Sequence, residues 1–384
     1  MNLRVLQIYK DFDPPVKGGI EGHLNLLARG IKQRGIDVSV LVSNTKPFLK
    51  TESIDGISIF KVPQLTRLSS APINPTLFWW FRKLADQFDI FHFHLPNPTA
   101  VVSYLLAGLR KKVVVTYHSD IVRQKQLAKL YSPFSKYFLD RADVIIATSP
   151  KYIQSSKILN CYKSKCRVVP LGIDTTRFNR NSEFGLLAEN MRRRRGSRLI
   201  LFVGKFRYYK GLEILIEAMK KVDGHLLLVG SGKQERRLKA QTSAAGLGHK
   251  VSFLGEVSDD EVVVYLKSCD VLVLPSNLRS EAFGIVQLEA MACGKPVIST
   301  ELETGTSYVN VHGETGLVVP PNNATALGKP TSPSPAWPAN PSPPEHSDRQ
   351  CGTVAGATRD PKDLLTERPA TVSLDRARPC GTRR

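Results

Sequence analysis

Residues 270–300 read Asp270-Val-Leu-Val-Leu-Pro-Ser276, then Asn277 and Leu278, then Arg279-Ser-Glu-Ala-Phe-Gly-Ile-Val-Gln-Leu-Glu-Ala-Met-Ala-Cys-Gly-Lys295, then Pro296-Val-Ile-Ser-Thr300. The outer runs are short and rich in Val, Leu and Ile, as expected of strands covered on both faces of a parallel sheet. Between them Gly284 to Cys293 is helix-forming, and Gly294, Lys295 and Pro296 stop it. Strand, loop, helix and strand in succession predict an α/β domain.

Two carboxylates flank the opening of that helix. Glu281 falls in the loop, and Glu289 is expected two turns inside, with the amides of Phe283, Gly284 and Ile285 between them. The first amides of a helix lack intrahelical partners, and its dipole favours negative charge there. A phosphate fits such a place, with Glu289 accepting from ribose hydroxyls. A surface helix with two solvated glutamates is the plainer reading of the same residues.

The run Ser280-Glu-Ala-Phe-Gly-Ile-Val-Gln-Leu-Glu-Ala-Met-Ala-Cys-Gly-Lys-Pro-Val-Ile298 resembles the nucleotide-sugar signature of retaining glycosyltransferases of family four. These have two Rossmann-like α/β domains facing a cleft, the GT-B fold. The resemblance covers residues 3–328 and is strongest to bacterial mannosyl- and rhamnosyltransferases of lipopolysaccharide O-chain synthesis. It implies that Glu281 lies against the transferred sugar, that Phe283, Gly284 and Ile285 hold the donor diphosphate, and that Glu289 binds ribose. It further implies a nucleotide-sugar donor, with a GDP-sugar leading, a lipid-linked saccharide acceptor, and neither cofactor nor metal.

A length of 384 residues, 42% hydrophobic and 23% charged, suits two globular domains with separate cores. No apolar run is long enough to span a bilayer, and Met1 to Pro15 lacks the pattern of a signal peptide, so the chain reads as cytoplasmic. Cys161, Cys166, Cys269, Cys293, Cys351 and Cys380 form no CxxC pair and read as reduced thiols. The formal charge is +20. Residues 1–175 carry 25 basic and 12 acidic side chains, residues 176–328 carry 20 and 16, and residues 329–384 carry 9 and 6. The first segment therefore holds +13 of the excess. Nucleic acid, anionic lipid and phosphorylated substrates all suit such a surface.

Residues 3–9 predict a strand, followed by the turn Gly18-Gly19 and a helix over 21–34. The GxGxxG fingerprint is absent, which disfavours a nicotinamide enzyme. The resemblance puts Gly18 and Gly19 beneath the donor phosphates; an ordinary tight turn is the alternative. Asp11-Phe-Asp13 matches a metal-binding Asp-x-Asp pattern that is common by chance, and is discounted. Further strands are predicted at 38–42, 57–62, 90–94, 113–118 and 144–148. His92 and His94 share a strand face at a spacing compatible with metal, but without a Cys or carboxylate nearby they read as lining a cleft. His118 emerges at the C-terminal end of a strand, where open α/β sheets bind ligands, and the resemblance gives it a contact to the donor sugar.

Pro75–Phe88 and Val122–Tyr131 mix leucines and aromatics with Lys and Arg. Such basic amphipathic segments suit an anionic membrane surface, here the inner face of the plasma membrane. Two helices turning their apolar stripes to their own sheet is the alternative. Residues 175–198 read as an interdomain connection with room for a short helix; the run Arg192–Arg195 lacks stacking aromatics, which argues against nucleic acid, and itself reads as a solvated or lipid-facing loop.

Leu199–Val203 opens a second domain, followed by Gly204-Lys-Phe-Arg-Tyr-Tyr-Lys-Gly211. Cations at a glycine-bounded turn can neutralise a diphosphate leaving group. The resemblance carries that role to Lys205 and Lys210. Lys205 stands where relatives have arginine and loses the planar fork, so Arg207 shares the work. Strands are predicted at 226–229 and 251–257, and the resemblance puts Gly230 and Val257 at the ribose and base. Thr304–Tyr308 departs from the many relatives that carry two glycines and a later glutamate there, and so leaves the donor subclass open.

The resulting division is an acceptor-side domain (1–175), a connection (176–198), a nucleotide-sugar domain (199–328) and a tail (329–384). The tail holds ten prolines and no apolar periodicity, and is predicted disordered. Relatives continue past 328 into helices completing the second domain, so that domain reads as incomplete and the tail as a shifted frame or replaced C-terminus. Two other functions stay open: a non-catalytic nucleotide-sugar-binding remnant and a basic nucleic-acid binder.

Overall fold

The computed structural model describes residues 3–329 except 45, 69, 70, 180, 196 and 197; the tail and its expected disorder lie outside the described residues. The first half runs β1 (Arg4–Ile8), α1 (Gly19–Gln33), β2 (Asp37–Asn44), β3 (Lys50–Ile54), β4 (Ile57–Pro63), β5 (Thr66–Leu68), β6 (Ala71–Ile73) and α2 (Leu77–Leu84). It continues β7 (Ile90–Leu95), α3 (Pro98–Ala107), β8 (Lys112–Tyr117), α4 (Lys125–Arg141), β9 (Val144–Ala147), α5 (Pro150–Ser155) and β10 (Cys166–Val168). After α6 (Asn181–Arg195) come β11 (Leu199–Val203), α7 (Leu212–Ala218), β12 (His225–Val229), α8 (Glu235–Ala244), β13 (Val251–Gly255) and α9 (Asp259–Ser268). The last are β14 (Val271–Leu274), α10 (Val286–Ala292), β15 (Val297–Thr300), α11 (Thr306–Val309), β16 (Gly316–Val319) and α12 (Ala324–Gly328).

Two Rossmann-like sheets result. The first is ordered β10-β9-β8-β7-β1-β2-β4-β3, and its edge strand β3 is antiparallel to β4. The second, β13-β12-β11-β14-β15-β16, is parallel throughout. Counted within its own domain that order is 3-2-1-4-5-6, the doubly wound arrangement that leaves a crevice beside its first strand. The buried runs behave as their composition demands: every residue of Ile90–Leu95 and of Val271–Leu274 is buried.

Helix α1 covers one face of the first sheet with Leu24 and Ala28, against Val40, Val42 and Ile59. Helices α2, α3 and α4 cover the other, where Phe81, Phe91, Phe93, Tyr104 and Phe138 interlock. The register aligns Leu6 with Phe91 and His94 with Thr116, so the C-terminal ends of β1, β7 and β8 rise side by side.

Several expectations need correction. Gly284 has φ +77, a left-handed conformation outside any α-helix, so the helix expected from Gly284 begins at Val286, and Glu289 sits in its first turn instead of two turns in. The arginine run at 192–195 ends a helix, α6, and is no loop; Arg192 pairs with Asp270 at 2.6 Å. In α2 the stripe Leu77, Phe81 and Leu84 is buried toward the sheet, as the alternative reading of that segment has it, while Trp79 stays exposed. Strands β3, β5, β6, β10 and β16 were not anticipated. Among the described residues no helix is long and apolar enough to cross a membrane. Cys161, Cys166, Cys269 and Cys293 form no disulfide; Cys351 and Cys380 lie outside the described residues.

Candidate active site

Four imidazoles gather at the crest of the first sheet, those of His92 and His94 in β7, His118 just after β8 and His23 in α1. His94 Nδ1 lies 2.9 Å from His118 Nε2, and His94 Nε2 lies 2.5 Å from Gln7 Oε1. Because the Gln7 oxygen only accepts, neutral His94 donates from Nε2 and accepts at Nδ1, which makes His118 Nε2 a donor and leaves its Nδ1 a bare acceptor. His92 stacks on His94 at 4.5 Å and bonds Thr116 Oγ1 at 2.7 Å; His23 of α1 meets His118 edge-on at 5.8 Å. Burial holds the cluster neutral, pushing His23 down to about 4 and His92 to about 3, and His94 and His118 well below the ordinary value, the neighbouring imidazoles adding to the shift at His92, His94 and His118. Nδ1 of His118 and Nδ1 of His23 are buried without a partner in the protein. Buried orphan nitrogens of this kind are where a ligand's polar groups are to be sought.

Opposite stands the loop after β11. Gly204 has φ +149, and a Cβ on Gly230 would meet the Gly204 carbonyl oxygen at 2.2 Å, so two glycines let the ends of β11 and β12 close up. Lys205 and Arg207 are exposed on this loop, whereas Lys210 turns inward to Glu281 at 2.5 Å, with side-chain exposures of 12% and 10%. Burial pushes the Lys210 ammonium down, but the Glu281 charge, Tyr209 and the hydrogen bond to Glu281 outweigh it and leave its pKa raised. Ser276 Oγ donates to the same Glu281 oxygen at 2.9 Å. Glu281 is thus a held carboxylate, not a solvated one.

Beyond Glu281 the chain passes through Ala282, Phe283, Gly284 and Ile285 before the backbone bonds of α10 begin with Gln287 N to Gly284 O and Leu288 N to Ile285 O. The amides ahead of them stand outside the helical ladder. A Cβ on Gly284 would strike Leu274 Cδ2 at 2.5 Å, so only glycine makes this bend. Glu289 pairs with Arg177 at 3.7 Å, and burial raises its pKa against that cation. Val257 is half-buried against the core beneath α9 and α10.

The two walls meet. A Cβ on Gly19 would lie 3.5 Å from Ile285 Cδ1, Ala282 packs into the core of the first sheet, and Lys17 bonds Asp259 at 2.9 Å. Glycine turn, amide loop and basic loop therefore converge at one cleft. Tyr9, Lys10, Glu21 and His23 join them and were missed in the sequence. Burial raises Glu21, with the charges of Lys205 and Lys10 opposing; burial lowers Lys10, and Arg207 pushes it the same way. The signal that could have found Glu21 and His23 is their spacing in the first turns of α1, directly after Gly18-Gly19. Asp11 is claimed by Arg67, which grips both its oxygens. Among the described residues no three His, Cys, Asp or Glu side chains gather into a metal site.

Two Rossmann-like domains closing on a crevice, one wall basic and rich in free amides and the other presenting polar acceptors, define a GT-B group-transfer enzyme. The comparisons agree. The family model for Glycosyltransferase Family 4 matches residues 17–177, and that for Glycosyl transferases group 1 matches residues 188–330. D-rhamnosyltransferase WbpZ of Pseudomonas aeruginosa is 41% identical over 85% of this chain and 84% of its own. O-antigen chain mannosyltransferase C of Escherichia coli is 36% identical over 85% and 86%. Anabaena HepE in complex with UDP and glucose shares the fold, with a TM-score of 0.68 at 20% identity over 86% of this chain and 89% of that one. The chain belongs to the family-four glycosyltransferases of the GT-B fold. Membership favours a transferase over a binding remnant or a nucleic-acid binder.

Proposed function

We propose that the chain moves mannose or a rhamnose, with retention, from a GDP-sugar to a lipid-linked saccharide in the synthesis of a lipopolysaccharide O-chain. The observation that carries this reading is the meeting of Gly19 with Ile285 beside Lys205, Arg207 and the Lys210–Glu281 pair. The diphosphate lies over Gly18, Gly19 and the amides of Phe283, Gly284 and Ile285; the cations neutralise charge as it leaves. Glu289 takes the ribose, with Gly230 and Val257 at the base. His118 Nδ1 accepts from a sugar hydroxyl, and Glu281 faces the transferred sugar. The division of labour follows the sheets, with residues 1–175 taking the acceptor, 199–328 the donor and 176–198 joining them.

A saccharide on a lipid must be met at a membrane. Helix α4 exposes Leu127, Leu130, Phe134 and Tyr137, spaced 3, 4 and 3 apart along one stripe, with Arg123, Lys129 and Lys136 exposed around it. We place this stripe on the inner face of the plasma membrane, drawn there by anionic lipid. The test is transfer of labelled sugar from GDP-mannose and from GDP-rhamnose, with UDP-glucose as control, to a lipid-linked saccharide in vesicles. Incorporation from one GDP-sugar is expected. Donor binding without incorporation on any acceptor would leave the non-catalytic remnant instead.

A further inference from the structure

Two loops carry the groups facing the transferred sugar, one after β8 and one after β14. Asp120 follows His118 by two positions, and Arg279 precedes Glu281 by two. Their side chains meet across the cleft, Arg279 Nη2 lying 3.4 Å from Asp120 Oδ2, with exposures of 28% and 19%.

Each partner is held from behind. Asp120 Oδ1 accepts from the hydroxyls of Tyr117 at 3.0 Å and Ser156 at 2.8 Å, and its amide donates to the Tyr152 hydroxyl at 2.7 Å. Arg279 Nη1 donates to the carbonyls of Leu302 at 3.4 Å and Glu303 at 3.2 Å, and its guanidinium lies 5.5 Å from the Tyr152 ring centre. Beside them Lys151 reaches Glu301 at 2.6 Å and Ser155 the Glu303 carbonyl at 2.5 Å. A carboxylate preset by hydroxyls and a guanidinium preset by carbonyls lose little rotamer freedom on pairing.

We propose that Arg279 and Asp120 are positioning residues that lock the His118 loop and the Glu281 loop in register across the cleft, a role that rests on the transferase reading above. Neither touches the reacting atoms. Each fixes the backbone next to a group that does, and a misplacement of about 1 Å at a reacting centre lowers rates on the order of a hundredfold.

The experiment uses the full chain with Arg279→Gln, Asp120→Asn, the double variant and Arg279→Lys. Initial rates, donor affinity and hydrogen exchange of residues 118–122 and 277–284 are measured on each. Each single variant is expected to lower kcat at least about tenfold, with the donor Kd held within about threefold, since the loss concerns geometry more than binding. The double variant should be no worse than the worse single, Arg279→Lys should recover part of the rate, and exchange should rise in both loops, including the one on the unaltered domain. Unchanged kcat, additive losses, or faster exchange confined to the altered loop would each overturn the proposal. An unaltered chain that transfers no sugar counts against the transferase reading alone, because exchange across the cleft still decides the tie.

Discussion

At the scale of single residues, Glu281 and Lys210 form a pair that neither can leave cheaply. Removing one partner strands a charge among buried groups, at a cost of about 3 kcal/mol. Glu281→Gln should therefore lower the urea midpoint and slow transfer by about a hundredfold. Glu281→Met combined with Lys210→Met should regain stability and not activity. Full transfer by Glu281→Gln would remove Glu281 from the reacting end. The histidines predict a pH response with a definite sign. His23 and His92 fold at about 4 and about 3, below the unfolded value of 6.5, so the unfolded chain takes up protons that the fold refuses. Their stability is whole above 6.5 and is lost as pH falls toward 4 and then 3. Glu21 and Glu289, raised from 4.5 by burial, act oppositely: they keep protons that the unfolded chain has released, and lose stability as pH rises through their folded values. Calorimetry from neutral pH downward should show a falling melting temperature, with a shallower slope in His92→Gln. Equal slopes would mean that His92 is not held neutral.

At the scale of elements, α4 shows both what the sequence tells and what it hides. The basic, leucine-bearing stretch 122–131 is legible as a helix, but the helix extends to Arg141 through Pro133, a residue that reads as a stop. The exposed stripe therefore gains Phe134 and Tyr137, which no reading that ended at the proline could include. Helix α10 was hidden in another way: Gly284 looks helix-compatible in sequence, but it adopts positive φ ahead of the helix, where Leu274 and Gln287 leave no room for a Cβ. Helix α6 has only a thin apolar stripe, Phe184, Ala188 and Met191 at i, i+4 and i+7, and the solvent-facing Leu186 and Leu187 blur its period in the sequence. If α4 lies on lipid, Leu130→Ser with Phe134→Ser should weaken binding to anionic vesicles at least about tenfold, because each buried apolar side chain contributes about 1.5 kcal/mol or more. Both side chains are exposed in the fold, so the melting temperature should stay put. Unchanged vesicle binding would turn attention to Trp79 and Leu106, the exposed apolar residues of α2 and α3.

At the scale of the whole molecule, alternation of buried strands with helices makes the two-sheet architecture legible, and the signature at 280–298 names its second sheet's ligand class. The first wall of the cleft is less legible, because Gln7, His23, His94 and His118 converge only when the ends of β1, β7 and β8 are aligned. No local pattern encodes that alignment. Across the cleft the domains touch largely through polar pairs, and Lys17–Asp259 is more than half exposed on both sides. Exposed pairs are screened by salt, whereas the diphosphate would sit between Lys205, Arg207 and the loop amides, closer to low-dielectric walls. Donor binding should thus outlast the bare interdomain pairs as salt rises. A melt panel of the full chain with GDP-mannose, UDP-glucose and no ligand, at low and high salt, measures this. At a hundred times its Kd a donor stabilises the fold by about 2.7 kcal/mol. One nucleotide should give that shift at both salts while the unliganded melt falls with salt. A donor shift that vanishes at high salt would mean that the diphosphate is held by the exposed lysine and arginine alone, and that the amides after Glu281 do not reach it.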